Sequence, residues 1–588
     1  MRNKTKLLSL ILAMLIVLTS LSSCFAPNQP IETGDPTTPT VQQTPSEENT
    51  TTSDQGGEES SSSSSGSSGS SDSQPGGENT PPEEESILKY TLSEQDMTDF
   101  RALLATFEEL ALAGTENFEV IDEAYYAMED QYFHIATQGQ IAYVLYCLNT
   151  GDEAMSDAYL ESGEILGDAY ELYNDTCKKI DASNSPYRES FFEGWSEEDL
   201  FEMRAFTGEI TDLQNQADEI MVEARELNVE TQSDAYLALY DEFVRVQNEM
   251  ASKLGYSDYY AYATEKVYIR DYDRAQREAL RAYVQTYIAP YIDDVRSMYF
   301  GSNGMMPLTD RKALEKVLTL DYDKLPTNYV QLYIDSFDEE TQTVFNSLFE
   351  KDSSFFVDSS RGYAGAFTTY LYEYEKPICY FGPKYQNCST MIHEMGHYYA
   401  AHYQESGSYA KDMAEVHSQG NEWLFYTFLK TQMNEGMHKT AVIYYLYNTM
   451  ATILVSCIVD DFEEEVYTRM SQLGEGETLD FDAIMTEVCA AYGGVDFLSR
   501  YVADMNLYWK YVCIESPVYY ISYSTSAIVS LGLYCQASED YDAALAVYKA
   551  LIEEPSEGLG FTEALAAAGL LSPFEESTFQ SIKSHLYP

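Results

Sequence analysis

The residues best suited to chemistry in this 588-residue sequence form the motif His393-Glu-Met-Gly-His397. Two histidines four residues apart on a helix project from one face, so both imidazoles can bind one metal ion. Glu394 lies beside them and can take a proton from a water molecule that the metal activates. Neutral imidazoles in this geometry suit zinc, so the motif predicts one Zn²⁺ per chain. Histidines that only satisfy core hydrogen bonds are the alternative, which is disfavoured because the sequence has seven histidines in all.

A catalytic zinc needs a third protein ligand, and the segment 411–423 offers the candidates. Glu415 follows His397 by 18 residues, a separation that suits a helix-loop-helix. Glu422 lies two turns further along the same helical face and could support a ligand histidine. In so acidic a chain either glutamate could instead belong to a solvated face. For His417, an ordinary helical side chain is as consistent with the sequence as a functional one.

Together the two segments resemble the thimet oligopeptidase and oligoendopeptidase F family of zinc peptidases. In that family the His-Glu-x-x-His helix precedes a Glu-x-x-Ser-x-x-x-Glu segment, which residues 415–422 match. The resemblance implies that Glu415 is the third zinc ligand and Glu422 a supporting residue. It also implies a mostly α fold in which two helical lobes flank a deep substrate channel that admits short peptides.

A second part of the resemblance lies before the zinc helix. Gly365-Ala366-Phe367 is similar to a family strand that lines the substrate channel. The likeness implies that these three residues bind substrate, with the extended peptide backbone adding a strand.

A third part of the resemblance lies in residues 516–523, which read Ser-Pro-Val-Tyr-Tyr-Ile-Ser-Tyr. The matching family segment carries tyrosines that contact the tetrahedral intermediate. By this match Tyr520 and Tyr523 are catalytic, because a phenol in a low-dielectric channel donates well to an oxyanion. Tyr519 is expected to bind substrate. The alternative for all three is a core aromatic at helical spacing.

One position departs from the family pattern. Relatives commonly carry a histidine a few residues before the Ser-Pro pair, whereas this chain has Tyr-Val-Cys-Ile-Glu over 511–515. Val512 cannot replace the lost hydrogen-bond donor. An alternative function therefore stays open, namely a peptide-binding lipoprotein that retains the zinc helix but is catalytically impaired. Another glutamate-type zincin, such as an aminopeptidase, is a further alternative.

The elements that must position these residues are mostly helices. From Leu92 onward, long segments without proline carry apolar residues at three- and four-residue spacing. Ser93 and Asp96 predict a capping box at the first helix. The aromatic, β-branched and glycine residues of 361–382 predict a small sheet or hairpin before the zinc helix. We therefore predict a helical N-terminal lobe over 87–360 and a zinc peptidase catalytic region over 361–588.

Two features of the folded part need a choice between interpretations. The run 441–459 has no charged residue, but its tyrosines, Asn448 and Ser456 favour a buried helix over a membrane span. Eight of the nine cysteines lie in the folded part. Their even number permits disulfides in an exported protein, but we predict scattered buried thiols because so large a core needs no covalent staples.

The N-terminal residues predict the location. Three basic residues precede a mostly apolar run over 7–21, which is short for a membrane span. Leu-Ser-Ser-Cys24 resembles a bacterial lipobox, so we predict a lipoprotein signal peptide over 1–23 and lipidation at Cys24. An ordinary secretory signal is the alternative. The Ser/Pro/Glu-rich residues of 24–86 predict a disordered linker. The mature protein is therefore expected on the extracytoplasmic face of the bacterial cell membrane.

The composition limits the partners. The formal charge is −63, from 97 acidic and 34 basic residues, and such a surface repels phosphate backbones. We therefore expect no nucleic-acid partner and no obligate protein partner. The sequence predicts a lipid-anchored zinc metallo-endopeptidase that hydrolyses short oligopeptides, with Glu394 as general base.

Overall fold

The computed structural model describes most of the chain from residue 86 onward. The described residues are 86–114, 116–195, 197–300, 308–319, 325, 328–357, 361–383, 386–404, 411–474, 476–554 and 559–586. The predicted signal peptide, Cys24 and all but the last residue of the predicted linker lie outside them.

The described part before the sheet is helical. Its helices are α1 (Glu94–Leu112), α2 (Phe118–Leu148), α3 (Glu153–Asp181), α4 (Tyr187–Phe191), α5 (Glu197–Ala205), α6 (Gly208–Glu226), α7 (Ser233–Lys253), α8 (Tyr259–Tyr262), α9 (Arg274–Tyr287), α10 (Ile292–Phe300), α11 (Leu308–Leu318), α12 (Asn328–Ile334) and α13 (Glu339–Ser347). A π-helical turn, Ala263–Val267, continues α8. The predicted cap of α1 is present, because the Asp96 carboxylate accepts a hydrogen bond of 2.8 Å from the Ser93 backbone N–H.

A small sheet follows, with strands β1 (Ser354–Phe356), β2 (Ala366–Leu371) and β3 (Lys376–Phe381) in the order β1-β3-β2. Strands β2 and β3 form an antiparallel hairpin, in which Ala366 pairs with Phe381. Strand β1 adds to β3 in parallel. Within the described residues β2 pairs only with β3, so β2 is an edge strand.

The remaining helices carry the predicted site. They are α14 (Cys388–Tyr403), α15 (Lys411–Phe428), α16 (Glu435–Ser471), α17 (Phe481–Ala490), α18 (Val495–Tyr501), α19 (Met505–Val512), α20 (Ile521–Glu539), α21 (Tyr541–Glu553), α22 (Phe561–Ala568) and α23 (Glu576–Leu586). Helix α15 packs against both α14 and α20. The mostly helical fold and the small sheet before the zinc helix are confirmed. The lobe boundary at residue 360 and the channel stay predictions.

Helix α16 contains the uncharged run 441–459. It is long and apolar enough to cross a membrane by length and composition, but 78% of its most apolar 18-residue window is buried in the protein. Residues such as Leu454 and Ile458 are fully buried. The run is therefore a core helix, as predicted.

The eight cysteines of the described residues are all free and buried. The prediction of scattered buried thiols is confirmed, and the disulfide alternative is wrong for this part of the chain.

The close approach of α14 to α15 depends on Gly396. A Cβ atom at this position would lie 2.4 Å from the carbonyl oxygen of His417 and 2.7 Å from Cα of Ser418. Both neighbours are backbone atoms of α15, so they cannot move aside without shifting the helix. Glycine is therefore required for the two helices to pack at this distance.

We expect Gly396→Ala to destabilise the protein by about 1–3 kcal/mol, because the new methyl group overpacks the helix contact. It should also weaken metal binding, because it separates the histidines of α14 from Glu415 of α15. Chemical unfolding and metal titration measure both effects. Gly163→Ala in α3 is the matched control, since a Cβ there meets no atom within 4 Å. An unchanged stability in Gly396→Ala would contradict the packing argument.

Candidate metal centre and active site

Three side chains on two packed helices converge on one point. His393 and His397 project from one face of α14, and Glu415 projects from α15. Glu415 Oε2 lies 3.5 Å from His393 Nε2 and 3.8 Å from His397 Nε2. One ligand atom from each of the three residues fits within a 4.8 Å span. The predicted third ligand is therefore brought to the two histidines.

The spacing of these atoms fits a small tetrahedral metal ion. Nitrogen and oxygen ligands about 2.0–2.2 Å from such an ion lie about 3.4 Å from one another. His393 Nε2 is buried and has no hydrogen-bond partner among the described residues. A buried polar atom without a partner is costly, and a metal ion would satisfy it. The donor set can therefore hold a metal ion.

Glu422 supports His393 from the side opposite the convergence point. Its Oε2 lies 3.0 Å from His393 Nδ1, and its Oε1 accepts a hydrogen bond of 2.8 Å from Ser389 Oγ. A carboxylate at Nδ1 selects the tautomer with the proton on Nδ1, which leaves Nε2 free to bind a metal. Glu422 therefore lies where it can support a ligand histidine, the role that the sequence predicts for it.

The charges in the cluster shift the pKa of His393. Burial alone would lower it, but the carboxylates of Glu422, Glu415 and Glu394 outweigh burial and raise the pKa to about 9. A metal ion must therefore displace a proton from His393 at neutral pH.

Glu415 is held by two hydroxyl groups. Tyr519 donates a hydrogen bond of 2.6 Å to Oε1, and Ser418 donates one of 2.9 Å to Oε2. Burial raises the pKa of Glu415, opposed by the charge of His393 and by these hydrogen bonds. Tyr519 was predicted to bind substrate. Its placement favours a different role, the support of a metal ligand.

Glu394 is fully buried, and Thr368 of β2 contacts it. Thr368 Oγ1 donates a hydrogen bond of 2.7 Å to Glu394 Oε2, whereas Oε1 has no partner among the described residues. Burial raises the pKa of Glu394 to about 7, opposed by the charge of His393. A carboxylate with this pKa can both accept and return a proton near neutral pH. The sequence analysis missed Thr368, because a threonine in a strand carries no distinguishing signal.

The predicted tyrosines lie at the start of α20, next to Tyr519. The ring centroids of Tyr520 and Tyr523 are 5.4 Å apart, and those of Tyr519 and Tyr523 are 5.3 Å apart. All three rings are nearly fully buried. Because Tyr519 reaches Glu415, this cluster of phenols adjoins the metal donors.

The predicted substrate strand lies beside Glu394. Ala366 and Phe367 begin the edge strand β2, and Gly365 precedes the strand, three residues before Thr368. The Phe367 side chain is not exposed to a ligand, because its ring stacks on Tyr380 at a centroid distance of 5.0 Å. Substrate contact by this segment would therefore use its backbone.

Val512, where the family that the motifs resemble commonly carries a histidine, is fully buried at the end of α19. The nearby Glu515 forms a salt bridge of 2.6 Å with Arg225 of α6. The structure therefore offers no histidine substitute at this position among the described residues.

We expect Glu422→Gln to lower the affinity for Zn²⁺ by about 10- to 100-fold, because the amide is a weaker acceptor for His393 Nδ1. Competition with a chromophoric chelator measures the affinity. Glu435→Gln, an exposed glutamate at the start of α16, is the control and should leave affinity unchanged. Equal affinity in Glu422→Gln and the unaltered protein would show that Glu422 does not support the metal ligand.

Comparisons with known proteins concern the fold. No protein-family model matches the sequence, and no curated protein matches it. A structure of PZ peptidase A with an inhibitor matches with a TM-score of 0.67 and 18% identity, over 84% of this chain and 96% of that chain. An X-ray structure assigned as an oligoendopeptidase F matches with a TM-score of 0.66 and 17% identity, over 84% and 96%. One from Bacillus anthracis, with the same assignment, has a TM-score of 0.64 and 16% identity, over 84% and 95%. The chain therefore has the fold of oligoendopeptidase F and PZ peptidase structures, as the resemblance in its motifs predicts.

Proposed function

We propose that the protein is a zinc metallo-endopeptidase that hydrolyses short oligopeptides. The observation that carries the proposal is the convergence of His393, His397 and Glu415 beside a buried, partly unsatisfied Glu394. Two imidazoles and one carboxylate are a donor set typical of catalytic zinc, which keeps a fourth position open. When bound there, zinc polarises a carbonyl group and lowers the pKa of water.

Glu394 is the general base in this mechanism. Thr368 holds its Oε2, so the partner-free Oε1 is the atom that takes a proton from the attacking water. The same carboxyl group then returns the proton to the leaving amine. A pKa of about 7 suits both steps, because neither proton transfer is strongly uphill near neutral pH.

Tyr520 and Tyr523 are proposed to donate hydrogen bonds to the oxyanion that develops during attack. Their rings are buried beside Tyr519, in surroundings that strengthen such hydrogen bonds. A donor of this kind contributes about 3 kcal/mol to transition-state stabilisation. The absence of a histidine at Val512 makes the chain depend on its phenols.

The substrate is proposed to be an extended oligopeptide. An edge strand such as β2 can pair with an extended backbone, and β2 carries Thr368 next to the general base. The names of the structural neighbours describe peptidases and an oligoendopeptidase, which supports the same substrate class. No partner protein or nucleic acid is needed for this function.

We expect Glu394→Gln to lower kcat for an internally quenched peptide by at least about 100-fold, because glutamine cannot take the proton. Zinc content should stay at one ion per chain, since Glu394 is not a ligand. Glu435→Gln is the matched control and should keep full turnover. Treatment with a chelator should abolish turnover in the unaltered protein and in this control. Unreduced turnover in Glu394→Gln would contradict the mechanism.

The choice of peptide separates the alternatives. A peptide with a blocked N-terminus should be cleaved internally by an endopeptidase and resist an aminopeptidase. A zinc-loaded protein that binds peptides without turnover would instead be the catalytically impaired binding protein. That alternative stays open because Val512 offers no hydrogen-bond donor. Cleavage of folded proteins as fast as of short peptides would contradict the oligopeptide restriction.

We further propose that the mature protein is anchored by a lipid at Cys24 on the extracytoplasmic face of the membrane. The support is the basic start, the apolar run and the lipobox-like tetrapeptide that ends in this cysteine. The polar residues that follow would then connect the anchor to the folded part.

We expect Cys24→Ser to abolish incorporation of a fatty-acid label and to reduce the membrane-bound fraction, because each buried CH₂ of an acyl chain contributes about 0.8 kcal/mol to membrane binding. Cell fractionation with metabolic labelling measures both. Cys535→Ser, which alters a buried thiol of the folded part, is the control. Unchanged labelling in Cys24→Ser would exclude this anchor.

A further inference from the structure

A fully buried arginine connects the metal-ligand helix to the tyrosine segment. Arg270 lies between the π-helical turn and α9, and its side chain is 0% exposed. Its Nε donates to Asp412 Oδ2 at 3.1 Å. Asp412 belongs to α15 and precedes the metal donor Glu415 by three residues, so the two side chains lie on neighbouring positions of one helical face.

The other nitrogens of Arg270 bind the chain just before α20. Nη1 donates to the carbonyl oxygen of Val518 at 2.9 Å, and Nη2 donates to the carbonyl oxygen of Tyr519 at 3.2 Å. Nη2 also donates to Ser522 Oγ at 2.9 Å. A guanidinium group makes these contacts together because its donors form a rigid planar fork.

The segment held by Arg270 has an unusual backbone. Val518 has φ = 62°, in the left-handed region that β-branched residues rarely adopt. Two further buried contacts hold it: Tyr268 donates to the carbonyl oxygen of Pro517 at 2.5 Å, and the Val518 N–H donates to Glu463 Oε1 at 2.9 Å. Backbone in this region persists where surrounding contacts determine it, so the conformation depends on these side chains.

The consequence reaches the active site through Tyr519. Arg270 binds the carbonyl group of this residue, and its hydroxyl group donates to Glu415 at 2.6 Å. Tyr520 and Tyr523 follow directly, so the direction in which the chain enters α20 sets where their hydroxyl groups lie. The Arg270–Asp412 pair thus fixes α15 and the tyrosine segment relative to each other.

We propose that Arg270 is a positioning residue for the active site, which sets Tyr519 on the metal ligand Glu415 and orients Tyr520 and Tyr523. The part of this inference that concerns turnover rests on the proposed peptidase function. The part that concerns metal binding does not rest on that function, because the contact of Tyr519 with Glu415 is independent of any substrate.

Arg281 offers a matched comparison within the same chain. It is also buried and paired, with Asp460, Asp461 and Glu464 of α16 as its partners. Its side chain donates hydrogen bonds to these carboxylates, whereas three of the hydrogen bonds of Arg270 go to the segment before α20 or to the first turn of α20. Loss of either guanidinium should destabilise the fold, but only loss at Arg270 should disturb the metal centre.

The test compares Arg270→Lys with Arg281→Lys in the full chain. Lysine keeps the charge but cannot make the forked contacts. We expect Arg270→Lys to lower kcat for the quenched peptide and the affinity for Zn²⁺ by about 10-fold or more, with KM changed far less. The visible spectrum of the Co²⁺-substituted protein should also change. In Arg281→Lys, kcat and the affinity for Zn²⁺ should stay within about twofold of the unaltered protein, and the Co²⁺ spectrum should not change. Both variants should lose thermal stability.

The outcomes are separable. Equal effects of the two variants on Zn²⁺ affinity and on the Co²⁺ spectrum, or none in Arg270→Lys, would overturn the inference. Should the unaltered protein lack turnover, the proposed function fails while the metal measurements still decide this inference. If Arg270→Lys does not fold, Ser522→Ala and Tyr268→Phe, which each remove one contact to the segment, should show smaller changes in the same direction. Unchanged metal affinity in both would also overturn it.

Discussion

Buried negative charge around His393 is the constraint on which the rest of the site depends. Glu394 and Glu415 are fully buried and Glu422 is nearly so. Ionised carboxylates in such surroundings need a cationic partner, and the structure places the imidazole of His393 against two of them, at 3.5 and 3.0 Å. A protonated imidazole balances part of the charge, but it cannot bind a metal through the same nitrogen. A dication in place of that proton would supply more positive charge at the same point, which suits the cluster to a metal ion.

This arrangement requires two helices at very short separation and a third held to them. Gly396 permits α14 and α15 to meet backbone to backbone, which brings carboxylate and imidazoles together. Helix α20 also packs on α15, and the buried Arg270, paired with Asp412, contacts the chain just before α20 begins. The site is therefore built on rigid elements, which keeps donors in place without a bound ligand.

How much the sequence could predict differs between parts of the site. The spacing of His393 and His397 fixes a shared helical face, and zinc then needs a third protein ligand, for which the resemblance of residues 415–422 to a family segment implies Glu415. The hairpin before the zinc helix was predictable from composition in the same way. Thr368 and Arg270 were not, because each acts across the fold: Arg270 meets Asp412 142 residues further on. Such partners are set by tertiary packing, and no local pattern marks them. The sequence predicts a substrate-binding role for Tyr519, but its partner Glu415 is 104 residues away, so only the structure shows what its hydroxyl group contacts.

Val512 lies where the family that the motifs resemble commonly carries a histidine, and valine has no group that responds to pH. A histidine near its usual pKa changes charge between pH 5 and 8, so a site that depends on it for a hydrogen bond varies over that range. Here the polar group one turn before Val512 on α19 is Tyr508, whose ring centroid lies 6.2 Å from that of Tyr520. Burial raises the pKa of Tyr508 to about 12, opposed by a hydrogen bond with Tyr520. This phenol therefore stays protonated throughout the physiological range. Of these groups Glu394, with a pKa of about 7, then titrates near neutral pH, whereas His393, with a pKa of about 9, and the hydroxyl group of Tyr508 do not.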